Sequence, residues 1–127
     1  MLLTLAGGIS MWLLAGLWHE IIMAQFYTAQ THATHEGTGI ILLAYLILAA
    51  LMAYLYPRIY TDGKSVLEGL KFGVVIGLLW VLPHELAMAG AHGELIVYVL
   101  KNAAWHMVEQ GVGGMVIGFT YQKLLVG

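Results

Sequence analysis

The chain has 127 residues, 61% of them apolar, 9% charged and none cysteine, with a mean hydropathy of +0.85 and a formal net charge of −2. A soluble domain carries about a quarter charged residues, so a water-soluble globule, a disordered chain and a disulfide scaffold are excluded. Five Lys+Arg against seven Asp+Glu offer no basic field for nucleic acid. What remains is one integral membrane domain, residues 1–127, with no room for a second core.

A transmembrane helix needs roughly 20 mostly apolar residues. Four stretches supply them, over residues 2–27, 37–56, 66–90 and 103–125. The first has no basic n-region and outlasts a signal-peptide apolar run, so it reads as a retained span. Residues 57–65 (PRIYTDGKS), with Pro, Gly and both charge signs, form the turn between the second and third spans. Residues 94–102 (ELIVYVLKN) are too short to cross and are expected as a separate short helix at the membrane surface. The predicted fold is all-α: a four-helix transmembrane bundle with a short interfacial helix before the last span.

Basic residues orient it. Arg58, Lys64, Lys71 and Lys123 fall on one side and Lys101 alone on the other. The positive-inside bias therefore puts both termini and the central loop in the cytoplasm, as in a bacterial inner membrane. His19, His32, His35, His84, His92 and His106 all then lie in the outward half, with Glu20, Glu36, Glu85, Glu94 and Glu109. That segregation is the most informative feature of so apolar a chain.

The sequence also repeats. His19-Glu20-Ile21-Ile22-Met23-Ala24 matches His84-Glu85-Leu86-Ala87-Met88-Ala89 at an offset of 65, and Trp18 and Trp80 precede the two motifs. His32, Gly37 and Gly39 match His106, Gly111 and Gly113 at an offset of 74. The expectation is two repeated helical hairpins, residues 1–60 and 61–127, about a pseudo-two-fold axis along the membrane normal.

Asn102-Ala103-Ala104-Trp105-His106, followed by a last helix bearing Gly114 and Gly118, resembles a family of small uncharacterised bacterial four-helix membrane proteins. In that family an Asn-small-small-aromatic-His stretch opens the final span. The likeness covers roughly residues 66–121. It implies the four-span fold and no chemistry, and the His-Glu pairs of the first and third spans lie outside the pattern.

Ionisable residues inside a membrane normally face a bundle interior or a wet cavity. Pairs at i, i+3 share a helix face, and the second and fourth spans offer two, His32 with His35 and His106 with Glu109. The arrangement parallels di-metal carboxylate bundles, with a shift toward imidazole that suits Fe, Zn or Cu. The expected ligands of one or two ions are His19, His32, His35, His84, His106 and Glu109. Glu20, Glu85 and Glu36 would hydrogen-bond and orient the imidazoles. Pro83 should bend the third span just before His84. Met23 and Met88 follow His19 and His84 by four residues and read as core fillers before copper ligands. Trp18, Trp80 and Trp105 read as interfacial anchors, and His92 as an exposed turn residue.

Gly73 with Gly77 and Gly114 with Gly118 permit close helix approach, within the bundle or in a homodimer or larger membrane complex. The leading expectation is a nonheme metal-binding membrane protein serving redox chemistry, metal handling or electron transfer. The alternatives are a haem-binding or accessory subunit, with His19/His84 or His32/His106 as axial pairs, and a proton or cation pathway. No nucleophile constellation, phosphate loop or nucleotide motif points to an enzyme class. A Gly63→Cys variant tests the orientation: the thiol should resist a membrane-impermeant reagent on intact cells and react once the cells are opened.

Overall fold

The computed structural model describes residues 1–22, 35–60 and 66–126. Helix α1 (Leu2–Gly16) runs directly into a π-helical segment, Leu17–Ile22. Helices α2 (His35–Ile59), α3 (Val66–His92) and α4 (Ile96–Val126) follow, and no strand occurs among the described residues. Three segments are long and apolar enough to cross a membrane: Leu2–Ile22, Thr38–Ile59 and Val66–His92. Helix α4, at 31 residues the longest, is also the least apolar, because it carries His106, Glu109, Gln110, Thr120 and Gln122. Apolar side chains surround the helices on all sides, as expected where the solvent is itself apolar. Leu13, Ile21, Ile40 and Leu79 are accordingly exposed.

The dominant contact is between α3 and α4. Gly69, Gly73 and Gly77 recur every four residues along one face of α3, and the backbone of α4 lies directly on them. A methyl group at Gly69 would collide with the Gly114 carbonyl, one at Gly73 with the Gln110 carbonyl and one at Gly77 with the His106 carbonyl. Those three levels fix the antiparallel register. Small residues are how membrane helices gain packing contact where no hydrophobic drive exists between them. Gly73, Gly77, Gly114 and Gly118 are all buried in the chain's own packing, Gly118 between Gly69 and the Tyr56 ring. The close approach they permit is made within the chain, between α3 and α4.

Helix α1 lies between α2 and α4, with Gly7 against Ile117 and Gly8 against Leu46 and Ala49. Met11, Leu48, Ala49, Met52, Tyr56, Phe72 and Ile117 form the core. Two hairpins related by a two-fold axis would make the α1–α4 and α2–α3 contacts equivalent. They are not: α1 packs broadly on α4, whereas α2 meets α3 only lightly.

The separate surface helix expected over residues 94–102 does not form. Gly93, at φ 72°, ends α3, and the Gly93 and Glu94 N–H groups both bond the Ala89 carbonyl, at 2.8 and 3.1 Å. His92 adds a bond from Nδ1 to the Met88 carbonyl at 3.0 Å. From Ile96 onward no Gly or Pro intervenes before Gly111, so one helix propagates through residues 96–102 and beyond. The turn expected over residues 57–65 begins later, after Ile59. Helix α3 continues through Pro83 to His92, and α2 continues through Pro57 to Ile59. At that end Arg58 Nη1 donates to the Tyr54 carbonyl at 2.6 Å while its guanidinium lies 3.5 Å from the Tyr54 ring centroid.

Gly73→Ala should lower the unfolding midpoint in detergent, by the equivalent of about 1–3 kcal/mol typical of overpacking. Its methyl group would meet backbone, which cannot swing aside. Gly39→Ala, in open space on α2, should be neutral or slightly stabilising through helix propensity.

Candidate intramembrane polar site

One turn of α4 carries the most buried polar chemistry of the molecule. Glu109 and Gln110 are both 0% exposed, the only such polar residues among those described. They reach this depth because Gly73 lets the backbone at Gln110 sit directly on α3. Gln110 Nε2 donates to Glu109 Oε1 at 3.3 Å, and the Tyr45 hydroxyl of α2 hydrogen-bonds the same carboxyl. One turn earlier, His106 Nδ1 stands 3.5 Å from Glu109 Oε2. His106 Nδ1, Glu109 Oε2 and Gln110 Oε1 have no hydrogen-bond partner, and neither do the indole N–H groups of Trp18 and Trp105. An unmet buried polar group costs roughly 1–3 kcal/mol, more when charged, so such a concentration is expensive and calls for a chemical reason.

The end of α1 closes over this turn. Trp18 stacks face to face on Trp105, with ring centroids 4.1 Å apart and planes within 8°. The next residues, His19 and His106, are close enough to interact electrostatically. Both Trp and His19 sit half-buried in the π-helical segment or opposite it. A π turn closes i→i+5 bonds, is rare, and is frequent at functional sites. Adjacent His19 and Glu20 both lie within that π-helical segment. The two Trp are thus a helix-to-helix contact and more than interfacial anchors; Trp80, by contrast, is exposed.

Other sequence candidates lie elsewhere. His84 is exposed, and the α3–α4 register places it seven residues beyond the Gly77–His106 level, about 10 Å along the helix. It is not brought to His106. Glu85 is half-buried, Glu20 is exposed beside His19, and Met88 is exposed. His92 is exposed, as expected. His35 and Glu36 open α2, and His35 precedes Tyr45 by ten residues, about 15 Å of helix. His32 and Met23 lie outside the described residues. Among the described residues, no three of His, Cys, Asp and Glu gather into a metal-binding group.

Two site residues carried too little sequence signal. Gln110 adjoins Glu109 and follows His106 by four, a spacing that places it on the same face. Tyr45 has no marker at all. A second buried pair lies in the other half of the bundle, where Tyr56 Oη and Glu68 Oε2 have no hydrogen-bond partner. Tyr56 is fully buried there, edge-on to Phe72 and Tyr121.

No protein-family model, curated protein or solved structure matches the chain. The site is read from its own chemistry.

Glu109→Ala should destabilise the protein by about 1–3 kcal/mol, because it removes the acceptor that Gln110 and Tyr45 share. Tyr45→Phe should cost less, since it deletes a donor without adding an unmet one. Chemical unfolding of the purified protein in detergent checks both the order and the size.

Proposed function

We propose that this small integral membrane protein binds a nonheme transition metal ion, Fe, Zn or Cu, in the outward half of its bundle. His106 and Glu109 would hold it, and His19 would approach from α1. The observation that carries this reading is the facing pair His106 Nδ1 and Glu109 Oε2, 3.5 Å apart and each without a hydrogen-bond partner. With the imidazole proton on Nε2 and the carboxyl ionised, both atoms are acceptors, and a cation between them would satisfy both. Two donor atoms about 2.1 Å from a tetrahedral ion stand about 3.4 Å apart, so the observed separation suits the edge of such a site. An imidazole with a carboxylate favours Zn, Fe or Cu over Mg or Ca. When bound, such an ion supplies either Lewis acidity or one-electron chemistry. The chain's own residues bind and orient: Gln110 and Tyr45 fix the Glu109 carboxyl, and the Trp18–Trp105 stack holds the two histidine-bearing segments together.

The same reading treats the two hairpins as diverged copies of one duplication, set in a bacterial inner membrane with both termini cytoplasmic. The cation-pathway alternative gains the Tyr56–Glu68 pair in the opposite half. Against it, Met11, Leu48, Ala49 and Met52 fill the core along the 11 residues of α2 that separate Tyr45 from Tyr56.

Elemental analysis and an absorption spectrum of tag-free protein in detergent test the proposal. Near-stoichiometric Fe, Zn or Cu is expected in the wild type and in His84→Ala and His92→Ala, with loss in His106→Ala and Glu109→Gln. A chelator should lower the thermal midpoint of the wild type, because an ion that binds only the folded state stabilises it. Metal-free wild type, or full metal content in both site variants, would overturn the reading; a Soret band would replace it with haem.

A further inference from the structure

A second feature of α4 stands apart from the buried site. Lys101, Ala104, Trp105 and Val108 fall at i, i+3, i+4 and i+7, so they form one stripe along the helix. Trp18, arriving from the π-helical segment, walls one side of that stripe. Together the five residues line an open groove of about 480 Å³, within the range of small-molecule sites. Ala104 is the floor: a small residue between the large walls of Trp105 and Val108 leaves the groove open. The lining is apolar except at one end, where the exposed Lys101 stands. From Lys101 to Val108 the groove runs seven residues, about 10 Å, toward the level of the buried polar turn.

We propose that this groove holds one anionic phospholipid, with its phosphate at Lys101 and an acyl chain laid along Ala104 and Val108 against the stacked tryptophans. The occupant follows from charge and setting. In a chain whose helices cross a membrane, an apolar groove on the outside of the bundle opens to lipid. Lys101 is the only Lys or Arg in residues 72–122, so its charge marks this end of the groove. A basic side chain at the headgroup level attracts anionic lipid, and Trp is at home at that depth, its ring apolar and its N–H polar. A lysine stem can lie along the apolar wall while its ammonium reaches the phosphate. The inference does not depend on the metal reading, since none of the five residues is a proposed metal ligand.

The test uses the full chain in detergent, in a Trp12→Phe, Trp80→Phe background whose remaining Trp are the stacked pair. Brominated phosphatidylglycerol should quench their fluorescence at about fivefold lower concentration than brominated phosphatidylcholine, the preference expected of one cation near an anionic headgroup. Lys101→Gln should abolish the preference. Ala104→Leu should raise the concentration needed for both lipids by filling the floor. Equal quenching by the two lipids, or a preference unchanged in Lys101→Gln, overturns the proposal. Displacement of the lipid by inorganic phosphate alone would overturn it too, by making the site one for a free anion. Should the double Trp variant fail to fold, the wild type answers by thermal midpoint: a rise with phosphatidylglycerol beyond that with phosphatidylcholine or inorganic phosphate is expected, and an equal rise with all three sinks the idea.

Discussion

Backbone contact between α3 and α4 is the constraint from which the other features follow. Gly69, Gly73 and Gly77 bring the carbonyls of Gly114, Gln110 and His106 onto the surface of α3. Lipid supplies no hydrophobic drive between helices, so close van der Waals packing must hold them. The same contact decides depth. With α4 seated this closely, Glu109 and Gln110 are excluded from the surface entirely. A larger residue at any of the three glycines would push α4 outward and lift the polar turn with it.

The buried turn illustrates why burial and function are linked in a membrane. Glu109 accepts from Gln110 on its own helix and from Tyr45 on α2, which fixes one side of the carboxyl. The other oxygen lies 3.5 Å from His106 Nδ1. A half-satisfied buried network is destabilising unless something completes it. The Trp18–Trp105 stack complements it, because it ties the α1 end to α4 at the level of His106. That stack places His19, the residue after Trp18, beside the turn that carries His106.

Asymmetry also separates the two hairpins. The His-Glu motif of α1 is drawn onto α4 by a π turn, whereas its sequence counterpart on α3 projects outward at His84 and lies beyond the packed level. Similar local sequences therefore occupy different environments. The difference arises from partners: α4 is held by both α1 and α3, and α2 touches α3 only lightly.

Composition alone determined the class of protein, because a chain with 61% apolar and 9% charged residues cannot present a water-compatible surface. Runs of apolar residues likewise located the helices, since in lipid each backbone group must bond within its own helix. His106 and Glu109 were legible as a pair from their spacing, and His19 as a nearby candidate. Tyr45 carried no mark, because its role depends on which helix faces Glu109. Only tertiary structure decided that. Local sequence also could not reveal that residues 94–102 merge into α4 or that residues 17–22 form a π turn. The first depends on a helix propagating where nothing stops it, and the second coincides with Trp18 stacking on Trp105. Spacing within one helix fixes which side chains share a face; which faces meet is set by packing between helices, and here glycine contacts and one aromatic stack made that choice.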